Sequence, residues 1–478
     1  MNYSMIIYLL GWILNFEVIF LAVPAITALI YQEISGFSFL ITMGICLFLG
    51  LILTSRKPKK KAIYAREGFV IVALSWVVIS IFGALPFIFS GAIPSVVDAL
   101  FETVSGFTTT GATILSEVES LPNCILMWRS FSHWVGGMGV LVFIMAFLPL
   151  SGAQNINLMR AESTGPSVTK LVPRIKTTAL LLYTMYFVLT VILFILLIAD
   201  GNPIFDSMNI AFATAGTGGF GIKNDSLASY SDYTQIVVTV FMILFGINFN
   251  MYFLLLSRKF IDIIKNTEIK AYFTIILSAV VIITLNIGGT FETIEEALKH
   301  IFFTVSSIIT TTGFVTVDFN QWPELSRTII VLLFFIGSCA GSTSGGIKIS
   351  RLIILFKSMS KEIHLLLHPN HVRKIEIDGR KIEHNVIRTT NVYMVCYLML
   401  FVISLLIISF DNHGLVTNFT AVATTMNNVG PGLDLVGPVS NFGFFSDTSK
   451  LVFIFNMIAG RLELFPVLLL FSPATWKK

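Results

Sequence analysis

Charge is what this chain of 478 residues most conspicuously lacks: Asp, Glu, Lys and Arg together make up 12% of it, far below the soluble average of about 25%. A composition this poor in charge excludes an ordinary water-solvated globular surface. Cysteine is nearly as rare. Cys46, Cys124, Cys339 and Cys396 are widely scattered and lie mostly inside apolar runs, so their spacing makes neither a disulfide framework nor a metal site. The seven histidines show no metal-ligand pattern; His364, His368 and His371 cluster in a basic loop, where a solvated or partner-facing role suits them better than a metal. No phosphate-cradling loop or strand-turn-helix dinucleotide motif occurs, so no nucleotide cofactor is expected in this chain and any nucleotide control must come from a partner. Basic-aromatic interleaving is also missing, which argues against nucleic acid. The apolar runs hold hardly any charge beyond Glu17 and Arg461, so the facing His, Asp and Glu of a membrane enzyme are not expected.

What fills the chain instead is hydrocarbon. Hydrophobic residues make up 55% and the mean hydropathy is +0.85, which reads as a multi-pass membrane protein. Runs of about 20 apolar residues, the length needed to cross about 30 Å of hydrocarbon, occur near 5–30, 36–55, 67–91, 124–150, 177–199, 232–257, 271–289, 325–356, 387–410 and 449–472. Ten spans are therefore expected. The first holds Ala22-Val23-Pro24-Ala25, which resembles a processing site, but no Lys or Arg precedes it and the run is too long for a signal segment, so a retained helix is expected. Lys and Arg concentrate at 56–61, 160–176, 258–270, 357–388 and 477–478. Those segments share one side if the spans alternate, and the positive-inside rule makes that side the cytoplasm. The opposite side carries Glu117, Glu119, Asp225, Asp318 and Asp434, either an acidic mouth that concentrates cations or simply solvated loop residues.

On that opposite side an apolar stretch runs four times into a short segment of threonine, asparagine and glycine. The segments are Thr108-Thr109-Thr110-Gly111-Ala112, Thr217-Gly218-Gly219-Phe220, Thr311-Thr312-Gly313-Phe314 and Asn427-Asn428-Val429-Gly430-Pro431-Gly432, an internal repeat of roughly a hundred residues. Each follows a helix too short to cross a bilayer, expected at 94–107, from Pro203 onward, at 293–309 and at 415–426. Glycine lets backbone carbonyls turn toward a common axis, and rings of carbonyls can replace the water shell of a small cation. Short helices pointing their C-terminal ends inward would add four negative dipole ends. The expected fold is all-α: an N-terminal hairpin (1–61), then four helix, pore-loop, helix repeats at 62–155, 156–265, 266–380 and 381–478 around a central pore. The third repeat contains the second unusual feature, Gly337-Ser338-Cys339-Ala340-Gly341-Ser342-Thr343-Ser344-Gly345-Gly346, too rich in Gly and Ser for regular helix.

Several motifs carry a family resemblance. Trp134-Val135-Gly136-Gly137-Met138-Gly139, Phe147-Leu148-Pro149, Ala161-Glu162 with Gly165-Pro166, Leu171-Val172-Pro173-Arg174-Ile175, Gly341-Ser342-Thr343-Ser344-Gly345-Gly346-Ile347-Lys348, Asn427-Asn428-Val429-Gly430-Pro431-Gly432 and Gly460-Arg461-Leu462-Glu463-Leu464-Phe465 resemble the Trk/Ktr/HKT superfamily of potassium transporters, specifically its TrkH-type membrane subunit. The resemblance implies a selectivity filter built from Thr109, Thr110, Gly111, Thr217, Gly218, Thr311, Thr312, Gly313, Asn428, Val429 and Gly430, with Gly111, Gly218, Gly313 and Gly430 as one glycine per repeat and potassium held only by backbone carbonyls. Glycine at all four positions favours potassium over sodium. It further implies a gate made of Gly337, Gly341, Ser342, Thr343, Ser344, Gly345, Gly346 and Arg461, with Arg461 bonding the closed loop and raising a barrier to cations. Ala215-Gly216 departs from the bulkier or hydroxylated pair more usual in the family, so the second segment is expected to be more flexible than the others. Also implied are a homodimer, a docked cytosolic TrkA-type nucleotide-binding subunit, contact with membrane lipid, and residence in the cytoplasmic (inner) membrane of a prokaryote. A sodium-permeable, or proton- or sodium-coupled, symporter of the same fold is the alternative.

Overall fold

A computed structural model describes residues 1–58, 63–139, 175–371 and 374–477; the motifs at 147–149 and 161–174 lie outside the described residues. The described chain is helical apart from one minimal β-hairpin. Helices α1 (Tyr3–Tyr31) and α2 (Gly36–Ser55) form the N-terminal hairpin. Unit 1 then contains α3 (Ala65–Phe89), α4 (Val96–Phe107) and α5 (Asn123–Gly137). Unit 2 contains α6 (Ile175–Ala199), α7 (Ile204–Gly216), α8 (Asp232–Phe245) and α9 (Phe249–Leu256), with α10 (Phe260–Lys265) linking it onward. Unit 3 has α11 (Thr267–Ile287), α12 (Ile294–Ile309), α13 (Glu324–Phe335) and α14 (Ile349–Leu367), followed by β1 (Glu376–Ile377) paired antiparallel with β2 (Arg380–Lys381). Unit 4 has α15 (His384–Ile408), α16 (Leu415–Asn427), α17 (Asp447–Arg461), α18 (Phe465–Phe471) and α19 (Pro473–Trp476).

The logic of each unit is one of length. Helices α3, α6, α11 and α15 run for 25, 25, 21 and 25 residues, which at about 1.5 Å per residue spans the hydrocarbon. Helices α4, α7, α12 and α16 have only 12, 13, 16 and 13 residues and stop partway. Side-chain caps start two of them: Ser95 accepts from the Asp98 amide and Thr293 from the Glu296 amide. Pro203 and Gly414 occupy the same position in the other two.

Six described helices are long and apolar enough to cross a membrane unbroken, and α8 and α9 form a further pair bent by 92°. The sequence predicts a single interrupted span, whereas the last long helix is interrupted in units 2, 3 and 4, and in unit 1 it ends at Gly137, just before the described residues stop. It stops after 15 residues in α5, 14 in α8, 12 in α13 and 15 in α17. Gly139 at φ +84 follows α5; Glu463 and Leu464, at φ +57 and +66, follow α17. Hydropathy conceals these breaks because Ile247, Leu462 and Leu464 keep the average high while the backbone turns.

Packing follows the units. One buried cluster joins the hairpin to units 1 and 4 through Phe39, Trp76, Phe107, Trp128 and Phe453. A second fills unit 3 around Tyr272 and Phe334, and a third fills unit 2 around Tyr186, Phe245 and Phe249. Outward-facing apolar side chains such as Phe48, Ile195, Val281 and Leu398 present the surface a bilayer requires. Glu33, between α1 and α2, fastens the hairpin: its carboxylate accepts from the Asn123 and Cys124 amides at 2.6 and 2.9 Å, capping α5.

Candidate functional site

Each short helix ends in the same turn. The Thr110 amide donates to the Ser105 carbonyl at 2.9 Å, Gly218 to Ala213 at 2.9 Å, Thr312 to Ser307 at 2.8 Å and Val429 to Thr424 at 2.9 Å, which is a Schellman closure. The residue before each of these donors is left-handed: Thr109 (φ +56), Thr217 (+53), Thr311 (+53) and Asn428 (+55). Asparagine tolerates that conformation, but β-branched threonine is strained there, by roughly 1–3 kcal/mol at each site. Strain held three times over at equivalent positions marks a backbone placed for a purpose.

Two residues further on the backbone turns left-handed again, at Gly111 (φ +79), Gly219 (+78), Gly313 (+80) and Gly430 (+95). This corrects the expected register in unit 2. Gly218 stands level with Thr110, Thr312 and Val429, while Gly219 is the counterpart of the other three glycines. The sequence signal misled because Gly218-Gly219 offers two candidates, although the Phe220 that follows Gly219, like the Phe314 that follows Gly313, marks the register that the dihedral angles show.

The four segments interlock in a ring. A Cβ on Gly111 would fall within 3.0 Å of the Gly218 carbonyl oxygen, one on Gly219 within that distance of Thr312 O, one on Gly313 of Val429 O, and one on Gly430 of Thr110 O. Every glycine therefore sits against the carbonyl of the next segment, in the cyclic order 1, 2, 3, 4, 1. Conformation and space both exclude a side chain there. Unit 4 is sewn to unit 1 a second time by Asn428 Nδ2, which donates to Thr110 Oγ1 at 2.9 Å.

The second segment is tightly packed, which replaces the expected flexibility with a steric reason for its glycines. His133 of α5 is fully buried; its Nε2 accepts from the Phe220 amide at 3.3 Å, which leaves Nδ1 to donate to the Gly106 carbonyl at 2.7 Å. A Cβ on Gly216 would meet the His133 carbonyl, and one on Gly218 the His133 ring. Beside it, Arg129 and Glu102 form a buried ion pair at 2.8 Å. Glu102 also accepts from Thr113 Oγ1 at 3.0 Å and the Ile114 amide at 3.1 Å, and Arg129 donates to the Gly221 carbonyl at 3.2 Å.

Above the ring lies a cavity of about 120 Å3 whose wall includes Gly111, Gly219, Gly313 and Gly430, with Arg129 and Lys223 as its charged residues. Among the described residues no carboxylate lines it. Of the outer acids, Glu119 accepts from the Asn224 amide, Asp318 from the Asn320 amide and Asp434 from Thr417 Oγ1. Glu119 and Asp434 thus join separate segments while Asp318 braces its own turn, and these carboxylates stand outside the cavity wall.

Below the ring, 337–346 forms a compact buried loop closed by the Gly337 amide on the Ile347 carbonyl at 2.9 Å. The Gly345 amide donates to Thr311 Oγ1 at 2.7 Å, placing the loop directly against the third segment. Ser344 Oγ bonds Ser338 Oγ at 2.6 Å and Ser342 Oγ at 2.8 Å. Lys348, 1% exposed, donates to the Ser344 carbonyl and, at 3.2 Å, to that of Gly345. The loop's far side fills the break between α8 and α9: the Cys339 amide donates to Gly246 O at 3.2 Å and the Phe249 amide to Gly341 O at 3.1 Å. Arg461 bridges three units, donating to Thr343 O at 2.6 Å in the loop and to Gly136 O and Gly137 O at 2.5 and 2.6 Å at the end of α5. Glu463 pairs with Arg351, whose guanidinium carbon lies 4.1 Å from the Tyr393 ring centre. Glu102, Arg129, Lys348 and Arg351 are thus buried charged side chains alongside Glu17 and Arg461; hydropathy does not reveal Glu102 and Arg129, because their partners are distant in sequence.

Comparison with known proteins bears on this arrangement. The family model described as TrkH, cation transport protein, matches residues 35–478. The chain is 36% identical over 463 residues to the Trk system potassium uptake protein TrkH of Salmonella typhimurium, covering 95% of each. It is 33% identical to the protein of the same name from Vibrio parahaemolyticus, covering the whole of both. Its fold matches the crystal structure of the potassium transporter TrkH from Vibrio parahaemolyticus with a TM-score of 0.89 at 31% identity over the full length of both chains.

Proposed function

The chain belongs to the TrkH family of potassium uptake transporters, and from that premise we propose that it conducts potassium through a gated, channel-like pore whose filter is the ring of segments 109–111, 217–219, 311–313 and 428–430. One observation carries the reading: four glycines with φ near +80 to +95, each seated against the next segment's carbonyl. Such a ring brings backbone carbonyls together and carries no side chain at the glycine level, so a cation stripped of water would meet carbonyl dipoles there. The negative ends of four short helices reinforce them. Below, the 337–346 loop with Lys348 and Arg461 is the gate, and its cationic side chains oppose a passing cation.

The driving force follows from charge. One positive charge moving inward releases about 2.3 kcal/mol per 100 mV, enough for roughly fiftyfold accumulation without ATP. The basic segments at one end of the bundle support placing that end in the cytoplasm of a prokaryotic inner membrane. The relatives' names refer to a Trk system, which supports a second component; a TrkA-type cytosolic nucleotide-binding subunit docked on the basic loops, and a homodimeric membrane unit, complete the reading. The test is rubidium-86 uptake in potassium-starved cells lacking other uptake systems, comparing wild type with Gly111→Ser. Wild type should restore uptake, and the serine variant should lose rubidium uptake and admit more sodium. No uptake by wild type together with unchanged sodium entry in the variant would overturn the proposal.

A further inference from the structure

The first turn of α11 reaches into the loop beneath the ring. Glu268 Oε1 accepts from the Ala340 amide at 2.7 Å and from the Ser350 amide at 3.2 Å. One carboxylate oxygen thus grips the loop's middle and the start of α14, the helix into which the loop continues. The turn carrying Glu268 is itself held from outside the bundle. Asp378, at the tip of the hairpin of β1 and β2, accepts on Oδ1 from the Thr267 amide at 2.8 Å and Thr267 Oγ1 at 2.6 Å, and on Oδ2 from Asn266 Nδ2 at 3.2 Å. Lys357 of α14 donates to the Glu376 carbonyl at 2.6 Å, returning the path to its starting helix. The circuit runs from the loop through Glu268, Thr267 and Asp378 to the hairpin, and back through Glu376 and Lys357 to the loop's own helix.

We propose that Glu268 is a positioning residue that latches the 337–346 loop beneath the ring, and that Asp378 couples the 376–381 hairpin to that latch. The inference rests on reading the loop as the gate. Backbone amides offer few strong handles in a loop of glycine and serine, and a carboxylate accepting two of them makes charge-assisted bonds that a moving loop must break. Asp378 sits on an exposed hairpin in the segment richest in basic residues. A partner pulling that hairpin away would withdraw the cap from α11 and loosen Glu268 without touching the membrane interior. Both ends of the path bias one two-state element, the physical requirement for coupling between distant sites.

The experiment measures rubidium-86 flux into proteoliposomes containing the full chain, with hydrogen exchange on peptides covering 338–351 recorded in parallel. Glu268→Ala and Asp378→Ala should each raise flux roughly 5- to 20-fold. Glu268→Gln, which keeps an acceptor oxygen but loses the charge, should raise flux less than Glu268→Ala does. The double variant should match Glu268→Ala alone, and the Ala340 and Ser350 amides should exchange faster in Asp378→Ala. Arg461→Ala serves as the reference for the gate. If it raises flux while Glu268→Ala and Asp378→Ala do not, the latch is overturned. Additive effects in the double variant overturn the coupling through Asp378. Should all three variants leave flux unchanged while exchange quickens, the latch stands and the gate reading falls. If Glu268→Ala does not fold, Asp378→Ala decides, since its side chain lies on an exposed hairpin.

Discussion

Gly218 and Gly219 are neighbours with different reasons to be glycine. Gly219 is left-handed and faces the Thr312 carbonyl, while Gly218 faces the His133 ring. Alanine at 219 should therefore cut rubidium uptake at least about tenfold, with no second-site remedy at His133, because both strain and a backbone collision oppose it. Alanine at 218 should also impair uptake, but pairing it with His133→Ala should recover part of the loss. Equal rescue of both variants in the same uptake assay would contradict the register described above. Arg461 donates to the Thr343, Gly136 and Gly137 carbonyls, and each such bond contributes about 1.5–3 kcal/mol when charge-assisted. Arg461→Ala should accordingly raise basal flux in proteoliposomes; flux at or below wild type would show that the arginine does not hold the loop closed.

Among the elements, the short helices were the most legible from sequence and the interruptions the least. Thr293 and Leu415 head short amphipathic or small-residue stretches that end in glycine, so the ends of α12 and α16 could be placed within a residue or two. The breaks after Phe245 and Arg461 left no comparable trace, since an apolar run averages the same whether or not it turns. Buried ions were missed for a related reason: Glu102 and Arg129 stand 27 residues apart, and nothing local pairs them. Glu102→Ala would leave the buried Arg129 without its carboxylate and should cost up to about 3–5 kcal/mol, visible as a lowered melting temperature of the detergent-purified protein. Removing a cap is milder. Glu33→Ala should cost about 1 kcal/mol by freeing the first amides of α5, a smaller shift in the same melt.

For the whole molecule, the fourfold repeat announced itself in the spacing of Thr-Gly segments, and with it the all-α membrane fold. The closure of the ring did not, because which carbonyl faces which glycine depends on four chain segments roughly a hundred residues apart. Rubidium accumulation should follow an imposed inward-negative potential, rising about tenfold for each additional 60 mV or so if one charge moves uncoupled. A steeper or pH-dependent slope in potential-clamped vesicles would instead indicate co-transport of a second cation.

The interlocked ring also sets a rule about chain length. Each glycine is registered against its neighbour's carbonyl on one side and presents its own segment's carbonyl to the other neighbour. A residue gained or lost in any one segment would shift both contacts at once and part the ring at two seams. Residue type can differ between the segments at equivalent positions, as Thr110, Gly218, Thr312 and Val429 show. Length cannot, and the four segments can diverge in composition only while they keep step in length.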